Sequence, residues 1–357
     1  MKRSWLLYTV LLWLNFPMLL SCEHRPLVEI GNTHYVRIYL DEKIPNITQG
    51  FYDENLPHPE YGRPKIMRVM LCDRVSGRKV AERYLQRPGV DEKGYYLDGY
   101  IIAPPGDYDL MAYNFGTETT LLSEENNYRL VTAYTNPVSP IYYDKIPSAT
   151  KRENINGNDD IVYCPDHLFV VTGERIHLPL KAVADSIKDS NGDYFRAKTV
   201  VESYYIQVRI SGIQWVRSSV GLLSGISRTR NLSSGEIDRS APGRVFFEMA
   251  DKDRGTLSES DSKTKGQTAV IYATFNTFGR IPDMESILDV NFEFVKTDGG
   301  TQVETLDITP LFDTPECRNN RWLIIDKEIQ IQPPKEGGGG FAPGVDDWDD
   351  SDADITI

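Results

Sequence analysis

The chain has 357 residues, with 39 Lys and Arg against 52 Asp and Glu for a formal net charge of −13, and four Cys. That length accommodates two domains with real cores, and 40% hydrophobic content with 20 Tyr and 13 Phe excludes a disordered chain. The acidic balance excludes a binder of nucleic-acid phosphates, which needs clustered Lys and Arg, and four Cys are too few for a disulfide-dense scaffold.

The first element carries the sharpest motif. Lys2 and Arg3 precede an apolar run from Trp5 to Leu20, interrupted by Thr9, Asn15 and Pro17. Those 16 residues fall short of the roughly 20 that span a bilayer, and the basic start fits an export signal. The run closes Leu19-Leu20-Ser21-Cys22, a small residue directly before a cysteine. This is similar to a bacterial lipobox, in which the cysteine thiol takes a diacylglyceryl group and the chain is cut in front of it. An ordinary secretory signal with a chance cysteine is the alternative. The expectation is a signal peptide at 1–21, cleavage between Ser21 and Cys22, and lipid on Cys22. Losing Lys2 and Arg3 takes the charge from −13 to −15. No later apolar stretch is long enough to span, so two or more acyl chains would supply the stable attachment.

A tether at 22–33 leads into a chain of strands and turns. His34–Leu40 sets Tyr35, Arg37 and Tyr39 on one face and Val36, Ile38 and Leu40 on the other. Ile66–Cys72 continues the pattern, followed by a turn over Asp73–Gly77. Tyr95–Ala103 ends at Pro104-Pro105-Gly106, and Tyr108–Asn114 follows directly. Short aromatic runs bounded by Pro and Gly mark an antiparallel sandwich, because each punctuates a turn that a ladder cannot contain. Lys151–Asp160 reads as an exposed polar loop, and Leu168–Leu180, with Gly173 inside, as the strands closing the first domain. The boundary falls in the polar stretch around Lys188–Asp193, which divides an N-terminal domain at 34–185 from a C-terminal one at 186–335.

In the second half, Tyr205, Gln207 and Arg209 alternate with Ile206, Val208 and Ile210 within a strand at Thr199–Ile213. Arg244–Met249, Ala269–Phe278, Leu288–Val295 and Gln302–Ile308 repeat the pattern. The last two form a hairpin about Thr297-Asp298-Gly299-Gly300, since Asp-Gly is a strong turn signal. Trp322–Ile331 is a further strand, and helix signals are few, with Ile281–Leu288 a short candidate. The class is all-β in two tandem sandwiches. The tail at 336–357 differs: Gly337–Gly340 form a hinge, and six Asp lie between 346 and 354. Val345, Trp348, Ile355 and Ile357 are nevertheless apolar, which suits a terminal edge strand able to dock in a sheet.

Chemistry is sparse. His24, His34, His58, His167 and His177 show no metal-ligand spacing, and there is no G-x-S-x-G, P-loop or G-x-G-x-x-G. Asp189–Asp193 resembles the start of a calcium loop, but Tyr194 and Val200 stand where that loop needs Gly and Glu, so it is a polar turn. Asp347, Asp349, Asp352 and Asp354 read as a solvated edge ahead of a calcium site. Trp215, Trp322, Tyr142-Tyr143 and Tyr204-Tyr205 are the candidate rings for a sugar-stacking platform. Neighbouring strand residues point oppositely, so each Tyr pair is expected to give one core and one surface ring. Cys72 and Cys164 are the nearest candidates for a disulfide, although the preferred reading leaves them and Cys317 as buried thiols. No catalytic residue, metal ligand or cofactor is expected, and the chain is not expected to be an enzyme.

Several segments in order carry a resemblance: Leu19–Cys22; Pro104-Pro105-Gly106-Asp107-Tyr108-Asp109-Leu110-Met111-Ala112-Tyr113-Asn114; Tyr205–Ile213 running on to Ser218–Gly225; then the Gly run and Asp347-Trp348. Together they resemble the fimbrillin-like, fimbrium-anchoring lipoproteins of Bacteroidales. The resemblance implies two tandem transthyretin-like antiparallel β-sandwich domains, a lipid anchor in the outer membrane at the cell surface, and other fimbrial subunits as partners. It also implies assembly by strand complementation, with Val345, Trp348, Ile355 and Ile357 as a donor strand held by main-chain hydrogen bonds and alternate pockets. Stalk subunits of this kind are cut after an arginine while anchors keep their N-terminus; Arg25 and Arg37 lie in the early segment. Asp185-Ser186-Ile187 resembles an O-glycosylation sequon of these bacteria, with Ser186 the acceptor. The leading expectation is a lipid-anchored anchor or accessory subunit of a fimbria that binds no nucleic acid. The alternative is a glycan- or protein-binding surface lipoprotein of a nutrient-capture system, and a lipoprotein hydrolase ranks third.

Overall fold

The computed structural model describes residues 32–41, 62–114, 116–150, 161–179, 186–240, 242–251, 268–281 and 288–334. The expected signal peptide at 1–21, Cys22, the expected loop at 151–160, most of the Ile281–Leu288 helix candidate and the tail beyond 334 lie outside the described residues.

The first half is built on one curled sheet. Its strands are β1 (Asn32–Leu40), β2 (Met67–Asp73), β3 (Lys79–Leu85), β4 (Arg87–Asp91), β5 (Gly94–Ala103), β6 (Gly106–Asn114), β10 (Phe169–Leu178) and β11 (Phe195–Thr199). They lie in the order β3-β2-β6-β10-β11-β1-β5-β4. Alternation explains the curl: Val36, Ile38, Leu40, Leu71, Leu97, Leu110, Ile176 and Phe195 all point inward and share one buried core. The far end folds back until β3 packs on β5. Gly99 permits that approach, since a Cβ there would meet Leu85 Cδ2 at 2.9 Å. Gly173 supplies a bulge in β10 rather than a break between strands: the register shifts between Val171 and Glu174, and Gly173 has φ +79°.

The second half is a two-sheet sandwich. One sheet runs β16 (Ala250–Asp251), β17 (Thr268–Thr277), β12 (Glu202–Ser211) and β20 (Trp322–Gln330). The other runs β19 (Thr301–Asp307), β18 (Asp289–Lys296), β13 (Val216–Ser227), β15 (Pro242–Glu248) and β9 (Ile161–Tyr163). Ile206, Val208, Ile210, Ile271, Leu223, Phe292 and Phe294 fill the space between them. Phe247 stacks on Phe275 with centroids 4.4 Å apart, and Gly221 makes room for the Phe247 ring. Most neighbours are antiparallel; β1 with β11, β12 with β20, and β15 with β9 are parallel.

Strand pairing crosses the expected division between 185 and 186 in both directions. β11, from beyond it, completes the first sheet, and β9, from before it, adds to a sheet of the second half. A third small sheet, β7 (Thr120–Ser123), β8 (Thr132–Thr135) and β14 (Thr229–Asn231), also draws on both halves. The outer face of β2 and β6 (Met70, Cys72, Met111, Tyr113) is buried with Val131, Val201, Leu232 and Phe278. Among the described residues two short α-helices occur, α1 (Pro147–Thr150) and α2 (Pro315–Asn320). The second starts where its sequence directs, with Thr314 Oγ1 accepting from the Cys317 amide at 3.3 Å and Pro315 as the first helical residue.

The Cys72–Cys164 disulfide is not formed: Cys72, Cys164 and Cys317 are free thiols. Cys72 belongs to the core joining the halves, whereas Cys164 packs against the second sandwich, where its Sγ donates to the Phe246 carbonyl at 3.1 Å. Burial pushes the Cys72 and Cys317 thiols each up to about 11. The expected split of Tyr204 and Tyr205 into core and surface also fails. Tyr204 stacks on Phe275 inside the sandwich, and Tyr205 on the opposite face is covered by Tyr272, Trp322 and Ile324. Tyr142 and Tyr143 do not lie on a strand at all but in a 3-10 turn, Pro140–Lys145, where Tyr143 is buried and half-buried Tyr142 packs against the same cluster.

Candidate assembly surfaces

β1 is held on three sides. Its alternating sequence sends Val36, Ile38 and Leu40 into the core, and its backbone pairs with β5 from Asn32 to Tyr39 and with β11 from Ile38 to Leu40. The outward residues form a polar clamp. Arg37 donates through Nε to the Tyr35 hydroxyl at 3.0 Å and through Nη1 to Asp91 at 3.1 Å and the Tyr39 hydroxyl at 3.3 Å. Tyr35 in turn donates to Asp98, and Tyr39 to Asp91 at 2.6 Å. The guanidinium of Arg37 lies 3.9 Å from the Tyr96 ring centroid, an additional cation–π contact.

Electrostatics follow from that arrangement. Burial, then the hydrogen bond to Asp98, pushes Tyr35 up to about 12. The Tyr39 hydroxyl, followed by the Lys93 amide and the Arg37 charge, holds the Asp91 carboxyl below its usual range. The first sheet therefore has no vacant strand position between β11 and β5. Arg37 sits mid-ladder, and cutting the chain after it requires β1 to unzip first; Arg25 lies outside the described residues.

Around the clamp, Tyr35, Tyr39, Tyr96, Tyr100 and Tyr194 make an aromatic face. Tyr35–Tyr100 and Tyr39–Tyr96 meet edge-on, at interplanar angles of 64° and 65°. Alternation in His34–Leu40 signalled Tyr35 and Tyr39, with Arg37 between them. Tyr96, Tyr100 and Tyr194 come from other segments, and only the strand pairing unites them.

The second half offers edges instead. β20 is bonded along one side to β12 and bulges at its middle, the register jumping from Ile325 to Glu328. Asp326, Lys327 and Glu328 at that bulge are exposed, the arrangement by which natural edges discourage unwanted pairing. β19 is the edge of the facing sheet. Gln302 ties the two, donating through Nε2 to the Gln330 carbonyl at 2.8 Å and accepting from the Gln332 amide at 2.9 Å. The chain leaves the described residues at Pro334, beside β19.

Of the residues singled out from sequence, Ser21, Cys22, Val345, Trp348, Ile355 and Ile357 lie outside the described residues. Ser186 is half-buried, bridged to Tyr35, with its Oγ 3.5 Å from the Tyr194 hydroxyl. Trp215 packs on the second core and Trp322 on Tyr205, so neither is a free platform ring. Among the described residues no group of three or more His, Cys, Asp or Glu is placed to hold a metal ion. No described helix is long and apolar enough to cross a membrane.

A domain profile described as "Domain of unknown function (DUF5119)" matches residues 80–248, from β3 through β15. The chain is 24% identical over 294 residues to the "Putative fimbrium anchoring subunit Fim4B" of Bacteroides ovatus, covering 77% of this chain and 79% of that protein. A crystal structure described as a putative adhesin from Bacteroides ovatus superposes with a TM-score of 0.52 at 20% identity, over 85% of this chain and 94% of that one. The fimbrial anchor protein Mfa2 from Porphyromonas gingivalis aligns with a TM-score of 0.41 at 11% identity, over 82% and 88% of the two chains. The adhesin structure establishes a shared all-β fold. The resemblance to fimbrium-anchoring proteins carried by the sequence motifs is borne out by a relative along most of the chain.

Proposed function

We propose that this chain is a non-enzymatic, lipid-anchored cell-surface protein that serves as an anchor or accessory subunit of a fimbria. The observation that carries the reading is the likeness, along 77% of the chain, to a protein described as a fimbrium anchoring subunit. The locked β1 supports the anchor role. A pull on a lipid at Cys22 would reach the fold through a strand bonded on both sides and buried on its inner face, rather than through a peripheral loop. Outer-membrane attachment through Cys22, the transthyretin-like description of the two halves, and donation of the 336–357 tail to a neighbouring subunit all belong to this proposal. In that donation, backbone pairing supplies affinity and alternate side chains supply register. The glycan-binding alternative calls for coplanar exposed rings, whereas the tyrosines on the β1 face meet edge-on.

Replacing Cys22 by Ala tests the attachment. The variant is expected to leave the membrane fraction, whereas persistence there through high salt and carbonate washing would refute the lipid anchor. Deleting 337–357 tests donation: the remaining chain is expected to fold but to fail in fimbrial incorporation, and normal incorporation would refute the donor strand.

A further inference from the structure

A cleft of about 450 Å³ opens in the second half, and it is lined by four arginines: Arg230, Arg280, Arg318 and Arg321. Glu202 and Asp313 are the carboxylates of its lining, so the cleft carries an excess of two positive charges in a chain of net charge −13. Those two carboxylates serve two of the arginines: Arg318 Nη2 is 3.3 Å from Asp313, and Arg321 Nη2 is 3.8 Å from Glu202. Arg230 spends Nη1 on the carbonyls of Val200 and Phe278, at 3.0 and 3.2 Å, and its buried Nε meets no acceptor. Arg280 lies over the Phe312 ring at 6.0 Å. Neither Arg230 nor Arg280 has a carboxylate within ion-pair distance among the described residues. Burial pushes the Arg230 pKa down, the mark of a cation held without a full counter-charge. Tyr204, Phe278 and Phe312 give the cleft an aromatic floor.

We infer that this cleft is the seat of the chain's own acidic tail, Asp346–Asp354, with Trp348 against the arginines and aromatic floor. Charge complementarity is direct, since six aspartates lie within nine residues of the tail. Bidentate Arg–carboxylate pairs are the strongest that such groups make, and an indole face accepts a guanidinium. Reach is sufficient. The path from Arg321 along β20 to Pro334 is 13 residues, roughly 43 Å when extended. Asp347 to Asp354 lie 13 to 20 residues beyond Pro334, roughly 45–70 Å of chain, and Gly337–Gly340 allow the reversal. The seat concerns where the tail rests within one molecule before any donation to a neighbour, so it goes beyond the fimbrial reading and is tested without a fimbria.

Hydrogen exchange on the full chain, compared with a synthetic peptide of residues 341–357, provides the test. Amides of 345–352 are expected to exchange about tenfold or more slowly in the chain than in the peptide at low salt, and to lose that protection in 0.5 M NaCl. Arg230→Gln with Arg280→Gln should abolish it while β12 and β18 keep theirs, which shows the fold intact. Arg280→Glu should abolish it too, and adding Asp347→Arg and Asp349→Arg should restore it. Free-peptide exchange of the tail at low salt overturns the inference, as does protection that survives the double Gln variant. Protection that vanishes on hundredfold dilution assigns the seat to a second copy and overturns the single-molecule seat. A cleft that responds to inorganic phosphate while the tail stays unprotected is a free-anion site, which also overturns it.

Discussion

β1 and β20 stand near opposite ends of the chain, and each runs parallel to one neighbour, yet they are held in opposite ways. β1 lies inside its sheet, paired with β5 over eight positions, with three aliphatic side chains inward and a Tyr-Arg-Tyr clamp outward. β20 lies at an edge among the described residues, where β12 is its one partner within the sheet, buries Leu323 and Ile329, and bulges outward in a charged stretch. The difference teaches where each end can yield. The N-terminal end enters the fold through a core strand, and the C-terminal end departs from a guarded strand paired on one side among the described residues.

The largest break in this contrast is expected from Ile38→Ala. Ile38 is fully buried between β5 and β11, and its truncation should cost about 2–5 kcal/mol by urea denaturation through the cavity left behind. A loss below about 1 kcal/mol would mean that β1 is not a core strand.

Acid should loosen the join between the halves next. His167 lies against Ser203 at the start of the second half, and burial pushes it down to about 4. The folded state then resists a proton that the unfolded chain takes up below about 6.5. Stability should be flat above that pH and fall as pH drops from about 6.5 to about 4, by up to roughly 3 kcal/mol. His167→Gln should flatten that slope in urea midpoints taken across the window, and an unchanged slope would remove His167 as its source.

Arg37→Ala should have a smaller effect, about 1 kcal/mol, because its ion pairs are partly open to solvent. Its sharper signature is faster hydrogen exchange confined to β1, β5 and the Asp91 turn. Smallest of all, Lys327→Ala on the β20 bulge should change stability by less than about 0.5 kcal/mol. It removes a guard charge, however, and should raise self-association measured by light scattering.

The elements legible in the sequence are alternating strands and short apolar runs. β1, β5, β12, β17 and β18 each show one dominant apolar face, β2, β6 and β20 show as runs apolar on both faces, and the Asp298-Gly299 turn between β18 and β19 is where its dipeptide put it. β3 and β4 were missed because Lys79–Asp91 is rich in charge with Pro88 and Gly89, suited to the exposed end of a curled sheet. β9 has three residues, too few for any period, and its place beside β15 depends on a partner some 80 residues away. For the same reason the crossing of strands between halves left no local trace. The functional residues divide likewise. Tyr35, Arg37 and Tyr39 were visible as one strand face, whereas the four cleft arginines are spread from 230 to 321 and meet only through the packing of β14, β17 and α2.

The most direct measurement is recovery of intact fimbriae from outer membranes of cells carrying this chain, followed by identification of what remains attached to the fibre base. A fimbrial anchor should co-purify with the fibres, and cells with Cys22→Ala should shed those fibres into the medium. Fibres that stay on the cell surface and contain no copy of this chain would contradict the proposal.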